Sequence, residues 1–335
     1  MDGVKQPDRT PADRAGFAAA LVVCLLMLLS FLRNAVWTSD LAVWGDSFRR
    51  GTATVRVLDN LGCAYTTAGR HDEAIALFTR ALERDSGDAE AHYNRGIAFR
   101  ETGQSSLAME DFSAAIRLAP DRADPYNNRG LLLKDLGLLQ EAVTDFSAAI
   151  RIDPDDARYY NNRGIAWKEW GRPGRAVEDF TEAIRIDPRY ANAYNNRGIA
   201  FGALGRNDLA AADFSAAIEL DPSFANAYNN RGIAFRLLGQ YGRAMDDWNR
   251  AVLLDPSARE AFLNRGVLLE EQEQYDRALD DYSRALALEP DASDVLLRRA
   301  LLYRKAGKKN LAGADLRRAC GLGNRTACRL LPGGR

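Results

Sequence analysis

An asparagine returns every 34 residues along the chain, at Asn60, Asn94, Asn128, Asn162, Asn196, Asn230 and Asn264, with no insertion between them. A side-chain amide carries a donor and an acceptor together, which suits hydrogen bonding to polypeptide backbone rather than proton transfer. Two more ladders keep the same period. One, a position further on, is Arg95, Arg129, Arg163, Arg197, Arg231, Arg265 and Arg299; the other is Asp111, Asp145, Asp179, Asp213, Asp247, Asp281 and Asp315. Both lapse in the first unit, which has Leu61 and Leu77 in their places. That coupling points to a partly desolvated arginine–aspartate pair within each unit rather than to an anion-binding stripe. A looser set of cations, Arg100, Lys134, Lys168, Arg236 and Arg304, shares another position, and Glu101, Asp135 and Glu169 follow the first three. The set is either a groove for an acidic ligand or a solvated face of mixed charge.

None of these ladders is catalytic. The two histidines, His71 and His92, fall at a turn and at an aromatic packing position. There is no phosphate loop and no Cys/His cluster at metal spacing, so neither enzyme activity nor a metal or cofactor is expected. A formal net charge of −1, from 45 basic and 46 acidic residues, argues against a nucleic-acid partner.

The elements that carry the ladders follow from the period. Counting the unit from Ala191, position 8 is glycine from Gly62 to Gly266, positions 20 and 27 are alanine throughout, and position 24 is Phe78, Phe112, Phe146, Phe180, Phe214, Trp248, Tyr282 and Leu316. Small residues let helices approach and the aromatic fills the remaining space. Apolar residues at helical spacing over positions 1–14 stop at a glycine at position 15, with Glu273 the exception; they resume over 18–31 and end at Pro120, Pro154, Pro188, Pro222, Pro256 and Pro290. The expected fold is therefore all-α: eight helix–turn–helix units over 55–88, 89–122, 123–156, 157–190, 191–224, 225–258, 259–292 and 293–326. A solenoid of this kind escapes the size limit of a single core, because each unit packs only on its neighbours.

Across 55–326 this pattern of Gly, aromatic, Ala and Pro resembles the tetratricopeptide repeat, which implies a right-handed superhelix with the asparagine position on its concave face. In O-linked N-acetylglucosamine transferase, a member of that family, such an asparagine ladder grips the backbone of an extended peptide. Equivalent helices about 8–10 Å apart and an advance of about 3.3 Å per extended residue match one asparagine to every third peptide residue. The ladder here is either such a peptide grip or solvated packing, and Asn127, Asn161, Asn195 and Asn229, one position earlier, would add specificity. The family's carboxylate clamp for chaperone termini is not expected, because Ile97, Ile165, Ile199 and Ile233 stand where it needs asparagine.

The ends differ from the repeats. Residues 1–14 read as a disordered tail, and 15–32 form an uncharged run long enough for a transmembrane anchor. Arg33 follows directly, without the small residues of a cleavage site, and flanking charges balance, so the charge rule does not set orientation. Residues 33–54 form a linker with a capping helix over 39–50. Its Arg33, Asn34, Trp37, Leu41, Trp44 and Asp46 resemble the stretch before the repeats of multi-span, mannosyltransferase-like membrane proteins. That resemblance implies repeats facing the periplasm or another extracytoplasmic space. Residues 327–335 cap the last unit. Cys320 and Cys328, around a helix–loop–helix junction, resemble the disulfide of secreted Sel1-like cysteine-rich repeat proteins, which implies a bridge and an oxidising compartment; the alternative is two separately packed thiols. Together these features lead us to expect a membrane-anchored scaffold or adaptor that binds a protein or extended peptide, with recruitment of substrate to an envelope glycosyltransferase as one alternative and an unrecognised hydrolase or transferase, for which no residues converge, as the weaker one.

Overall fold

The structure, a computed structural model, describes residues 25–27, 39–51 and 53–331. The expected tail over 1–14 lies outside the described residues, as does the expected membrane span over 15–32, except for Leu25, Leu26 and Met27, which are helical and exposed. No helix among the described residues is long and apolar enough to cross a membrane.

The chain divides into two compact units, residues 1–138 and 139–335. The first contains α1 (Asp40–Arg49), α2 (Val55–Thr67), α3 (His71–Arg84), α4 (Ala89–Glu101), α5 (Ser105–Leu118) and α6 (Ala123–Asp135). The second contains α7 (Leu139–Ile152), α8 (Ala157–Glu169), α9 (Pro173–Ile186), α10 (Ala191–Ala203), α11 (Asn207–Leu220), α12 (Ala225–Leu237), α13 (Tyr241–Leu254), α14 (Arg259–Glu271), α15 (Tyr275–Leu288), α16 (Ser293–Lys305), α17 (Lys309–Gly321) and α18 (Arg325–Leu330). Within each unit every helix packs on the next in sequence, and no strand occurs among the described residues.

The fifth repeat, α10 and α11, shows why the chain folds this way. Its first helix ends in a Schellman motif: Arg206 N–H donates to the Phe201 carbonyl at 2.9 Å and Gly205 N–H to that of Gly202 at 2.9 Å. The motif places Gly205 at φ 73°, a conformation open to glycine at little cost. The motif also shifts the boundaries expected from the sequence. The first helix stops one residue earlier, at position 13, because Leu204 serves as its cap, and the second runs from position 17 to 30. It ends there because Asp221 adopts φ −135°, ψ 93°, the extended backbone that a following proline favours. The two helices close on each other through Gly198: a Cβ there would lie 2.7 Å from the Phe214 ring, so only glycine admits that ring. Phe214, Ala210 and Ala217 are buried in the contact.

The ends are covered by the same apolar packing. Leu41, Trp44 and Phe48 of α1 lie against Leu58 and Leu61 of α2. At the other end, the partly buried Leu330 of α18 and Leu331 just after it pack against a cluster containing Leu296, Leu316 and the fully buried Ala327 of α18.

Candidate functional site

The asparagine ladder lies on the first helix of each repeat, and its amides are partly committed to neighbouring repeats. Asn196 Nδ2 donates to Asn161 Oδ1 at 3.0 Å, Asn230 to Asn195 at 3.1 Å and Asn264 to Asn229 at 3.0 Å. Asn128 follows the same rule with a different acceptor, donating to the Tyr93 hydroxyl at 3.0 Å. Position 6 of one repeat thus bonds to position 5 of the repeat before it. Asn161 and Asn195 are buried by this arrangement, and so is Asn127, on α6. The expectation that position 5 supplies ligand specificity is therefore corrected for Asn161 and Asn195: their amides bridge first helices. The pattern changes in the first two repeats, where Asn94 Nδ2 turns to Glu90 Oε1 at 3.2 Å and Asn60 Nδ2 donates to the Arg56 carbonyl at 2.9 Å. Asn162 occupies the equivalent position on α8. The Oδ1 atoms of Asn196 and Asn264 accept no hydrogen bond from described residues, and one N–H of each amide is likewise uncommitted. A signal for these bridges exists in the sequence. Position 5 offers an oxygen before each asparagine from Asn94 onward, whereas Leu263 stands before the repeat that has Arg298 in place of asparagine.

The cations at position 12 differ in their surroundings. Arg100 donates to Asn128 Oδ1 at 2.7 Å and to Glu101 at 2.8 Å, and Lys134 pairs with Asp135 at 2.5 Å. Arg236 pairs with Glu271 on the next repeat's first helix. Lys168, half-buried on α8, pairs with no carboxylate among the described residues.

Arg95, Arg163, Arg197, Arg231, Arg265 and Arg299 each make three contacts. Arg197 donates Nε to Asp213 Oδ2 at 2.8 Å and Nη2 to Oδ1 at 2.8 Å, while Nη1 reaches back to Thr181 Oγ1 at 3.2 Å. Bidentate pairs with Nε–Oδ2 distances of 2.7 or 2.8 Å also join Arg95 to Asp111, Arg163 to Asp179, Arg231 to Asp247, Arg265 to Asp281 and Arg299 to Asp315. The third contact falls on Thr79, Ser113, Ser147, Ser215, Asn249 and Ser283 for Arg95, Arg129, Arg163, Arg231, Arg265 and Arg299. Arg129 and Asp145 belong one to each unit, and Asp145 is buried. Each fork whose partners lie within one unit therefore ties its own second helix to the second helix of the preceding repeat. The sequence reading missed this polar partner, although position 25 is Ser, Thr or Asn in every repeat followed by the arginine and Arg317 in the last. Burial pushes the Asp179 carboxyl up while Arg163 pulls it back, and the bonds from Asp213 hold Arg197 above its ordinary value.

Cys320 and Cys328 form a disulfide with Cα atoms 4.7 Å apart, joining α17 to α18. Burial raises the Cys63 thiol to about 11, which leaves it protonated and a poor nucleophile near neutral pH. His92 Nδ1 lies 2.7 Å from Asp111 Oδ1, an extra partner for a carboxylate already held by Arg95. No group of three or more His, Cys, Asp or Glu side chains among the described residues is placed to hold a metal ion.

Family profiles described as "Tetratricopeptide repeat" match residues 60–123, 195–261 and 260–292, and one described as "TPR repeat" matches 134–171 and 171–205. The chain belongs to the tetratricopeptide-repeat family. No curated protein sequence matches it. Among solved structures it is similar to a tetratricopeptide repeat protein from Parabacteroides merdae, at a TM-score of 0.60 and 18% identity over 74% of this chain and 98% of that one. A chain of the APC/C hetero-tetramer Cut9–Hcn1 gives 0.57 and 19%, over 79% of this chain and 52% of that one. PilF from Pseudomonas aeruginosa gives 0.55 and 20%, over 60% and 91%. At these identities the likeness is one of fold.

Proposed function

We propose that the chain is a non-enzymatic scaffold that binds an extended segment of another protein along the first helices of its repeats. The observation that carries this reading is the row of amides at Asn196, Asn230 and Asn264. Each is oriented by one bond to the preceding repeat and retains a second N–H, and Asn196 and Asn264 each keep an uncommitted carbonyl oxygen. Amides held in place before a ligand arrives lose little conformational entropy on binding, and they address backbone rather than side chains.

The proposal includes the N-terminal anchor over 15–32 and an extracytoplasmic location for the repeats. The Cys320–Cys328 bridge supports that location, because structural disulfides persist in oxidising compartments.

Changing Asn196 and Asn230 together to alanine tests the binding reading. Peptide capture by the full chain should weaken at least about tenfold, given roughly 0.5–1.5 kcal/mol for each backbone bond lost. Two inter-repeat bonds are removed as well, so the melting temperature should fall by a few degrees while circular dichroism retains its helical amplitude. Undiminished capture by the double variant removes the amides from the mechanism.

A further inference from the structure

Within the second unit, a cavity of about 240 Å³ opens between α10, α11 and α12. Its walls include Ile199, Phe214, Ile233 and Leu237, with the amides of Asn207 and Asn230 among them. Gly202 forms part of its wall. Position 12 is Thr66, Arg100, Lys134, Lys168, Arg236, Glu270 or Arg304 in the other repeats, and only the fifth has no side chain there. A Cβ on Gly202 would meet nothing within 4 Å, so the glycine answers no packing demand. At the penultimate position of α10 it also lowers helix propensity relative to alanine. A residue that weakens its helix and touches nothing leaves space for something else.

We propose that this cavity is an anchor pocket for one large apolar side chain, leucine, isoleucine, methionine or phenylalanine, of an extended peptide. This rests on the amide-ladder reading above and names the sequence class that the ladder by itself does not select. Three observations define the occupant. The volume is below the roughly 300–1,000 Å³ of sites that take drug-sized ligands, which suits a side chain. Ile233 and Leu237 are 37% and 59% exposed beside it, an apolar surface that a side chain would cover. Asn230, the ladder residue, is part of the lining, so a backbone held by the ladder delivers its side chain there.

Charge complementarity adds a second determinant. Lys168 holds position 12 on α8, the first helix of the preceding repeat, and pairs with no carboxylate among the described residues. Neighbouring first helices are about 8–10 Å apart, the span of about three extended residues. The preferred ligand thus carries Asp or Glu about three residues from its apolar anchor.

The test is selection of a random linear peptide library on the immobilised full chain. Enriched sequences are then resynthesised as capped fluorescent peptides and titrated by anisotropy against native protein, Gly202→Leu, Lys168→Glu and the Asn196→Ala/Asn230→Ala double variant. Gly202→Leu fills the cavity with a better helix former, so its melting temperature should not fall. Enriched peptides should share an apolar residue with an acidic one about three places away. Gly202→Leu should weaken them about 10- to 100-fold, the worth of burying one such side chain. Changing the peptide's apolar residue to serine should cost the same, with no further loss on Gly202→Leu. Lys168→Glu should cost about fivefold. If enriched peptides share no apolar residue and Gly202→Leu binds them as native protein does, while the double asparagine variant does not, the pocket is overturned and the amide reading stands. If no peptide is enriched or bound, both fall.

Discussion

Asp59 occupies on α2 the place that Asn161, Asn195 and Asn229 take in later repeats, and its Oδ1 is buried without a hydrogen-bond partner. Its carboxyl is raised from 3.8 to about 7, first by burial, then by the charge of Asp88 and a hydrogen bond shared with it, and then by Glu90 and Asp85. A raised folded-state value means that the native protein binds more protons than the unfolded chain between those two values. The stabilising proton is fully present below about pH 3.8 and is lost as pH rises through about 7, so stability falls across that window. At the limit the shift corresponds to about 4 kcal/mol; because the side chain is only half-buried, solvent screening brings this to about 1–2 kcal/mol. Asp59→Asn removes the charge and places an amide where Asn94 can bond as its counterparts do. The variant should therefore exceed native stability by about 1–2 kcal/mol at pH 8, with most of that difference gone by pH 4.5. Urea denaturation at the two pH values, followed by circular dichroism, reads the difference as a shift in midpoint at constant slope. A stability difference between variant and native that stays the same at both pH values would refute the account, since it would show that Asp59 does not titrate differently on folding.

Arg197→Met should destabilise by about 3 kcal/mol, because it leaves Asp213 buried without its bidentate partner and releases Thr181; an unchanged urea midpoint would sink the ion-pair account. Glu273, at φ 59° where other repeats place glycine, should gain about 1 kcal/mol on change to glycine, read as a higher melting temperature. Reduction of Cys320–Cys328 opens a short loop worth about 2–3 kcal/mol, so faster amide exchange should appear in α18 and not in α10; uniform exchange across both would contradict a local role.

The helix pairs are legible because every requirement for them recurs within one repeat. Gly198 must face Phe214, Gly205 must adopt positive φ, and Pro222 must follow the last turn, so each constraint leaves a residue type at a fixed position. Contacts between repeats leave a weaker trace, because their two halves lie in different copies of the pattern. Thr181 and Arg197 fall in successive repeats, as do Asn161 and Asn196, and reading each repeat against itself separates the partners. The trace becomes visible only at exceptions: Arg317 where no repeat follows, and Leu263 before Arg298. The cavity at Gly202 is harder still to read, since a missing side chain registers only as one more glycine among those that serve turns and helix contacts. What distinguishes Gly202 is physical: its φ does not require glycine, and nothing lies within 4 Å of the Cβ it lacks. Regular positions in this chain therefore report how the repeats hold together, and under the binding proposal the departure at Gly202 marks where one partner is told apart from another.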